Sequence, residues 1–292
     1  MPASHNISSH RRTYNKLVAN EMMEDFALRF TSRRARKWPY SRIANTALGI
    51  VSFMVLEAIG GAITLSYGFV NAAWAIVALI VVVFISGTPI SYYAARYGVD
   101  IDLLSRGAGF GYAGSTIASL VYASFTFIFF ALEAAIMSMA LELLLGIPLY
   151  IGYAISALIV LPLVSHGIAY ISRFQAWSQP VWVVLQLIPL FYVFHHPESS
   201  VQGWFAYEGE AGSEAASFNI LLFGAASAVL MSLVAQIGEQ ADFLRFLPPK
   251  GQQDSSLKWW AAVLMAGPGW IVFGAAKLFL GSVLAFLALK QG

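Results

Sequence analysis

Two glutamates stand alone in apolar sequence. Glu57 is the one charge between Thr46 and Tyr67, and Glu133 is at the centre of Phe129-Phe130-Ala131-Leu132-Glu133-Ala134-Ala135. A further polar group, Gln236, Gly238, Glu239, Gln240 and Asp242, ends another long apolar run. At about 1.5 Å rise per residue, Thr46–Tyr67 is long enough to cross roughly 30 Å of hydrocarbon as a helix. A carboxyl at that depth costs about 2.5 to 3.5 kcal/mol on insertion scales, so it should face protein or water and bind a proton, a cation or a solute. Gly60-Gly61 follows Glu57 almost at once and predicts a break in the helix. Backbone freed there is tolerable only where it lines a cavity, and Glu57, Gly60 and Gly61 together would hold a cation. Lys277, alone in the last apolar run, is a candidate counter-ion.

The elements that must position these groups are membrane helices. The chain is 59% hydrophobic and 11% charged, against about 25% charged in soluble domains. It has no cysteine, so neither a disulfide framework nor a thiolate metal site can form. Gly109-Phe110-Gly111-Tyr112-Ala113-Gly114 fits a dinucleotide-binding spacing, but it opens an apolar helix rather than following a buried strand, so the motif is rejected. With no Walker A sequence, nucleophile–base pair or metal-ligand cluster in the pattern, an enzyme is not expected, nor a cofactor, nor a nucleic-acid partner.

Seven apolar runs are long enough to be spans: 46–67, 70–95, 111–144, 149–167, 175–194, 217–245 and 259–289. Seven crossings put successive loops on alternate sides. With the N-terminus inside, nine basic residues of positions 1–44 share that side with Arg96, Arg106, Arg173, Arg245, Lys250 and Lys258, which makes 15 of 17. The outer loop 195–216 carries Glu198, Glu208, Glu210 and Glu214 and no Lys or Arg. The positive-inside rule therefore predicts a cytoplasmic N-terminus in an inner or plasma membrane of bacterial type. Residues 1–44 form a basic cytoplasmic segment. Within it, Met22, Phe26 and Phe30 recur at helical spacing before Arg33, Arg34, Arg36 and Lys37, as in an amphipathic helix on an anionic leaflet. Residues 45–292 form the membrane domain.

Several segments resemble the nucleobase:cation symporter-1 family, which includes the purine and cytosine permeases. The resemblance begins at Arg36-Lys37-Trp38 and runs through Glu57-Ala58-Ile59-Gly60-Gly61-Ala62. It is densest from Arg96-Tyr97-Gly98 through Leu103-Leu104-Ser105-Arg106 to Gly114-Ser115, and returns in Gln240-Ala241-Asp242-Phe243-Leu244-Arg245-Phe246. It implies an all-α fold of two inverted five-helix repeats with broken helices 1 and 6. Only the first repeat and the start of the second are covered here, because the family's eighth span has no counterpart before Gly292. It also implies a solute site containing Glu57, Phe129, Glu133, Gln236 and Glu239. In that site Phe129 is the aromatic stacking place and Glu133 the polar place on the third span. A carboxyl where the family more usually has an amide also suits a proton, a cation or an amine.

The function expected from residues and resemblance together is part of a cation-coupled secondary transporter for a small polar solute such as a nucleobase. Na+ or H+ would be the coupling ion, and membrane lipid and the solute the partners. The alternative is a solute-sensing membrane input domain, for instance of a sensor histidine kinase, with a cytoplasmic output domain downstream. A site lacking its eighth span is expected not to accumulate solute alone. The orientation is directly testable: cysteines placed at Ser213 and Ser256 should react with an impermeant reagent from opposite faces of the membrane, Ser213 from outside. Equal labelling of both from one face would refute the seven-span map.

Overall fold

A computed structural model describes residues 30–195, 201–251 and 255–291. Among these the chain is helical, with one isolated antiparallel bridge between Phe30 and Val99 and no strand. The amphipathic positions Met22 and Phe26 lie outside the described residues. Phe30 itself is extended, in the bridge.

The first apolar run is divided. Helix α1 (Tyr40–Ala47) continues as a tight 3-10 turn through Leu48–Ser52, stops at Phe53-Met54, and gives way to α2 (Val55–Tyr97). The 43 residues of α2 cover about 64 Å at 1.5 Å each, twice the hydrocarbon thickness. Their one non-helical residue is Gly68, with φ 76°, at the boundary predicted between the first two runs. A side chain at Gly68 would be strained by that φ and would meet Ala215 and the carbonyls of Tyr207 and Glu208, which fold over the bend.

The remaining runs follow as α3 (Ile101–Ser105), α4 (Gly111–Leu145), α5 (Leu149–Ser165), α6 (Gly167–His195), α7 (Ile220–Met231), α8 (Ile237–Leu244), α9 (Ser256–Ala266) and α10 (Trp270–Gln291). Helices α7 and α8 are joined by a 3-10 stretch, Ser232–Gln236, just before the polar cluster, and together they form one unit long and apolar enough to cross a membrane. The seventh is broken at Gly267-Pro268-Gly269. By length and composition four units can cross a membrane: Val55–Tyr97, Ile101–Leu145, Ile220–Leu244 and Ser256–Lys290. The pair α5 and α6, bent by 115° at His166, makes a fifth if counted as one span. Leu143, Leu144, Tyr150, Phe127 and Ile85 are among many large apolar side chains left exposed. So much exposed apolar surface suits lipid, not water. The chain is an integral membrane protein.

Helix α2 is the centre of the fold. Leu56, Ile63, Ala72, Ile76 and Leu79 along it are fully buried with Leu230 and Leu233, Trp270 and Ile271, and Phe125 and Phe129 of α4. Polar contacts join the helices inside this core: Thr64 donates to Ser282 at 2.7 Å, and the Asn71 side-chain oxygen accepts the Asn219 N–H at 2.8 Å. At the C-terminal end of α2, buried Arg36 donates to the carbonyl of Ala95 at 2.6 Å and reaches that of Arg96. Its cation thus satisfies the last carbonyls of α2 at the negative end of the helix dipole.

The glycine pair has a different role from the one predicted. Gly60 and Gly61 lie inside regular helix, and the break comes earlier, at Phe53-Met54. A Cβ on Gly60 would overlap the carbonyl of Leu278, and one on Gly281 would overlap the carbonyl of Glu57. The two glycines therefore let the backbones of α2 and α10 touch, which is the use of small residues between membrane helices. Gly60→Val should cost about 1–3 kcal/mol of stability by overpacking. Gly224→Val, where a Cβ meets open space, should leave melting in detergent unchanged.

Candidate functional site

The start of α2 is a helix N-terminus inside the apolar core, so its first N–H groups have no intrahelical acceptors. Met54, at the cap position, supplies no side-chain hydrogen bond. Glu133 of α4 does so from across the helix boundary: its Oε1 accepts the Val55 N–H at 2.9 Å, and the Met54 N–H lies beside the same carboxyl. The carboxylate thereby also meets the positive end of the α2 dipole.

Within the first turn of α2, the Glu57 carboxylate pairs with the Lys277 ammonium of α10 at 3.0 Å, and both side chains are almost fully buried. Gln186 of α6 lies beside Glu57, and Lys277 is also within electrostatic reach of Glu133. Two carboxylates, one ammonium and a helix N-terminus thus share a centre to which four helices contribute. A buried pair of this kind gains from mutual attraction only against a large desolvation cost, which singles it out from surface ion pairs.

Lys277 and Gln186 also line a cavity of about 770 Å³ between α6 and α10. Trp182, Trp204, Phe205 and Phe273 supply much of its apolar wall, and Leu48 and Ser52 of the 3-10 turn close one side. The cavity therefore connects the surface between these helices with the cationic end of the ion pair.

The residues assigned from sequence to one solute site fall into two centres. Glu57 and Glu133 meet at the break. Gln236 and Glu239 instead hydrogen-bond each other at the junction between the 3-10 stretch and α8. There Tyr122 packs on Gly238. Tyr122 and Glu133 are eleven positions apart on α4, about 16 Å of helix. Phe129 lies between them, buried and packed at a tilt of 39° against Phe125, with 4.3 Å between ring centres, so its ring is part of the core rather than an open stacking face. Gly60 and Gly61 offer no freed backbone to a cation, since both are in regular helix; the expectation of a cation site on their carbonyls is corrected. Gln186 was not singled out from the sequence, although a lone amide in Val183-Val184-Leu185-Gln186-Leu187-Ile188 is the same kind of signal as Glu57. No metal-ligand cluster of three or more His, Cys, Asp or Glu occurs among the described residues.

No family model, curated protein or solved structure matches this chain. The geometry of the break makes its own prediction. Glu133→Ala leaves the Val55 N–H buried without an acceptor and should cost about 1–3 kcal/mol, whereas Glu133→Gln keeps an acceptor oxygen and should cost less. Lys277→Ala leaves Glu57 buried and unpaired and should cost about 3–5 kcal/mol. Melting of the purified variants in detergent ranks the three; equal stability of Glu133→Ala and wild type would show that water, not Glu133, satisfies the break.

Proposed function

We propose that this chain is the membrane module of a cation-coupled secondary transporter for a small polar solute, with a nucleobase or related heterocycle as the leading class. One observation carries the reading: a helix stops inside the apolar core at Phe53-Met54, and charged groups from three helices, Glu57, Glu133 and Lys277, gather at the new helix start. Discontinuous helices whose half-helix ends meet ions and solutes at mid-membrane are how secondary transporters build their sites. Charges kept there at several kcal/mol are expected to do work for the protein.

In this reading the 43-residue α2 supplies two crossings bent at Gly68, and α5 and α6 supply two more. The total is seven, with the N-terminus cytoplasmic, as the distribution of basic residues favours. The breaks at Phe53-Met54 and Ser232–Gln236 are the interruptions of helices 1 and 6 in an inverted-repeat fold of the nucleobase:cation symporter-1 kind. No covalent chemistry is needed. Solute and cation share the cavity, and the broken helices rock against the rest. The Gln236–Glu239 centre serves the second broken helix.

The test is binding and uptake of radiolabelled adenine, cytosine and uracil by membranes carrying the chain in its natural gene context. Saturable binding of one heterocycle, with affinity or pH dependence altered in Glu133→Gln at unchanged expression, is the expected result. Binding without accumulation would favour the sensory input domain over the transporter. Absence of binding by all three, with no effect of Na+ or pH, would overturn the reading.

A further inference from the structure

We propose that Lys277 is a built-in cation for the break in the first helix, and that the Glu57–Lys277 pair exchanges a proton through the cavity between α6 and α10. The proposal rests on the transporter reading above and names its coupling ion as a proton rather than sodium.

Charge balance comes first. Glu57 and Glu133 bring two negative charges to a helix N-terminus that carries roughly half a positive charge. Lys277 adds a full positive charge 3.0 Å from Glu57. The centre is thus close to neutral with its own groups, and the position an external cation would take against Glu57 already holds an ammonium. A proton fits this arrangement because it adds charge to a carboxylate without needing a coordination sphere.

The backbone contact defines what can move. Gly60 lies against Leu278 and Gly281 against Glu57, backbone to backbone, so α2 and α10 cannot approach further to adjust the pair. Exchange therefore falls to the side chains. The groups facing Lys277 are Glu57 of α2 and Glu133 of α4, with the uncharged amide of Gln186 from α6 beside Glu57. A proton reaching the pair by way of the cavity converts the Glu57 carboxylate to the acid and removes its attraction for the ammonium. Lys277, still protonated, turns toward the Glu133 carboxyl, which is within its electrostatic reach. Loss of the Glu57 proton restores the starting pair, so each cycle binds and releases one proton.

Access is the second requirement, and on one side the cavity reaches the ammonium end of the pair. Lys277 is only 5% exposed, yet it forms part of the wall of the 770 Å³ cavity. A lysine that only locked two helices together would need no such opening.

The test uses the purified whole chain in lipid nanodiscs with no solute, so that its outcome is independent of whether any heterocycle binds. Infrared difference spectra are recorded across a pH titration to follow the carboxylic-acid C=O band. Melting is compared in sodium chloride and choline chloride at equal ionic strength. One titrating band should vanish in Glu57→Gln and persist in Glu142→Gln, an exposed control on the same helix as Glu133. In Lys277→Gln its midpoint should move upward by at least about one pH unit, a tenfold change in proton affinity, because the neighbouring cation is gone. If Lys277→Gln does not fold, the double variant Glu57→Gln/Lys277→Gln removes both charges together and should lose the band while melting normally. Sodium should leave melting unchanged. Persistence of the wild-type titration in Glu57→Gln, or stabilisation by sodium that disappears in Glu57→Gln, would overturn the proposal. Failure of the nucleobase assays with this titration intact would count against the solute assignment alone.

Discussion

A helix that begins inside hydrocarbon exposes N–H groups that neither water nor lipid can satisfy, and each one left bare costs several kcal/mol. At Val55 the acceptor is supplied by Glu133 from α4. Once that carboxylate is fixed at the start of α2, much else follows. A second carboxylate, Glu57, within the first turn of α2 needs a positive partner, and Lys277 is the residue of α10 that meets it. Removing either charge alone strands the other in the core, so the two helices are bound together by electrostatics as well as by packing.

Packing and electrostatics are matched in register. Backbone contact at Gly60 and Gly281 sets α10 against α2 closely enough that Lys277, one turn before Gly281, lies opposite Glu57, one turn before Gly60 or nearly so. Larger residues at the glycines would separate the axes and lengthen the ion pair. The same seam continues outward to the Thr64–Ser282 hydrogen bond. Small residues and short polar side chains thus join these helices along their length, as expected where the surrounding lipid gives no hydrophobic drive for association.

The sequence revealed the charged centre because a glutamate in an apolar run has few explanations, and both Glu57 and Glu133 belong to it. The break was misplaced by several residues for a physical reason. Glycine permits helix unwinding and also permits close helix contact, and local sequence does not distinguish these uses. Phe53-Met54 carries no breaking residue; the interruption there depends on a cap from a helix almost eighty positions later. Gln236 and Glu239 were assigned to the same site as Glu133, but residues three apart on a helical turn can satisfy each other, and these do. The all-helical class and a division near Gly68 were legible from hydropathy and composition alone.

The motif-dense stretch from Arg96 to Ser115 has a structural explanation of its own. Asp100 caps α3 by accepting the Leu103 N–H at 2.8 Å. Asp102, buried, pairs with Arg106 at 3.0 Å and accepts from Ser119 at 2.9 Å, while Arg106 also reaches Ser115. Gly109 and Gly111 take positive φ where the chain turns into α4. Asp242, at the end of α8, faces the Ile101 N–H at the start of α3. These residues build the corner from which α4 departs. Since α4 carries Glu133 to the break in the first helix, the corner determines where that carboxylate arrives. These residues thus specify architecture: they set how α4 delivers Glu133 to the centre that it shares with Glu57 and Lys277.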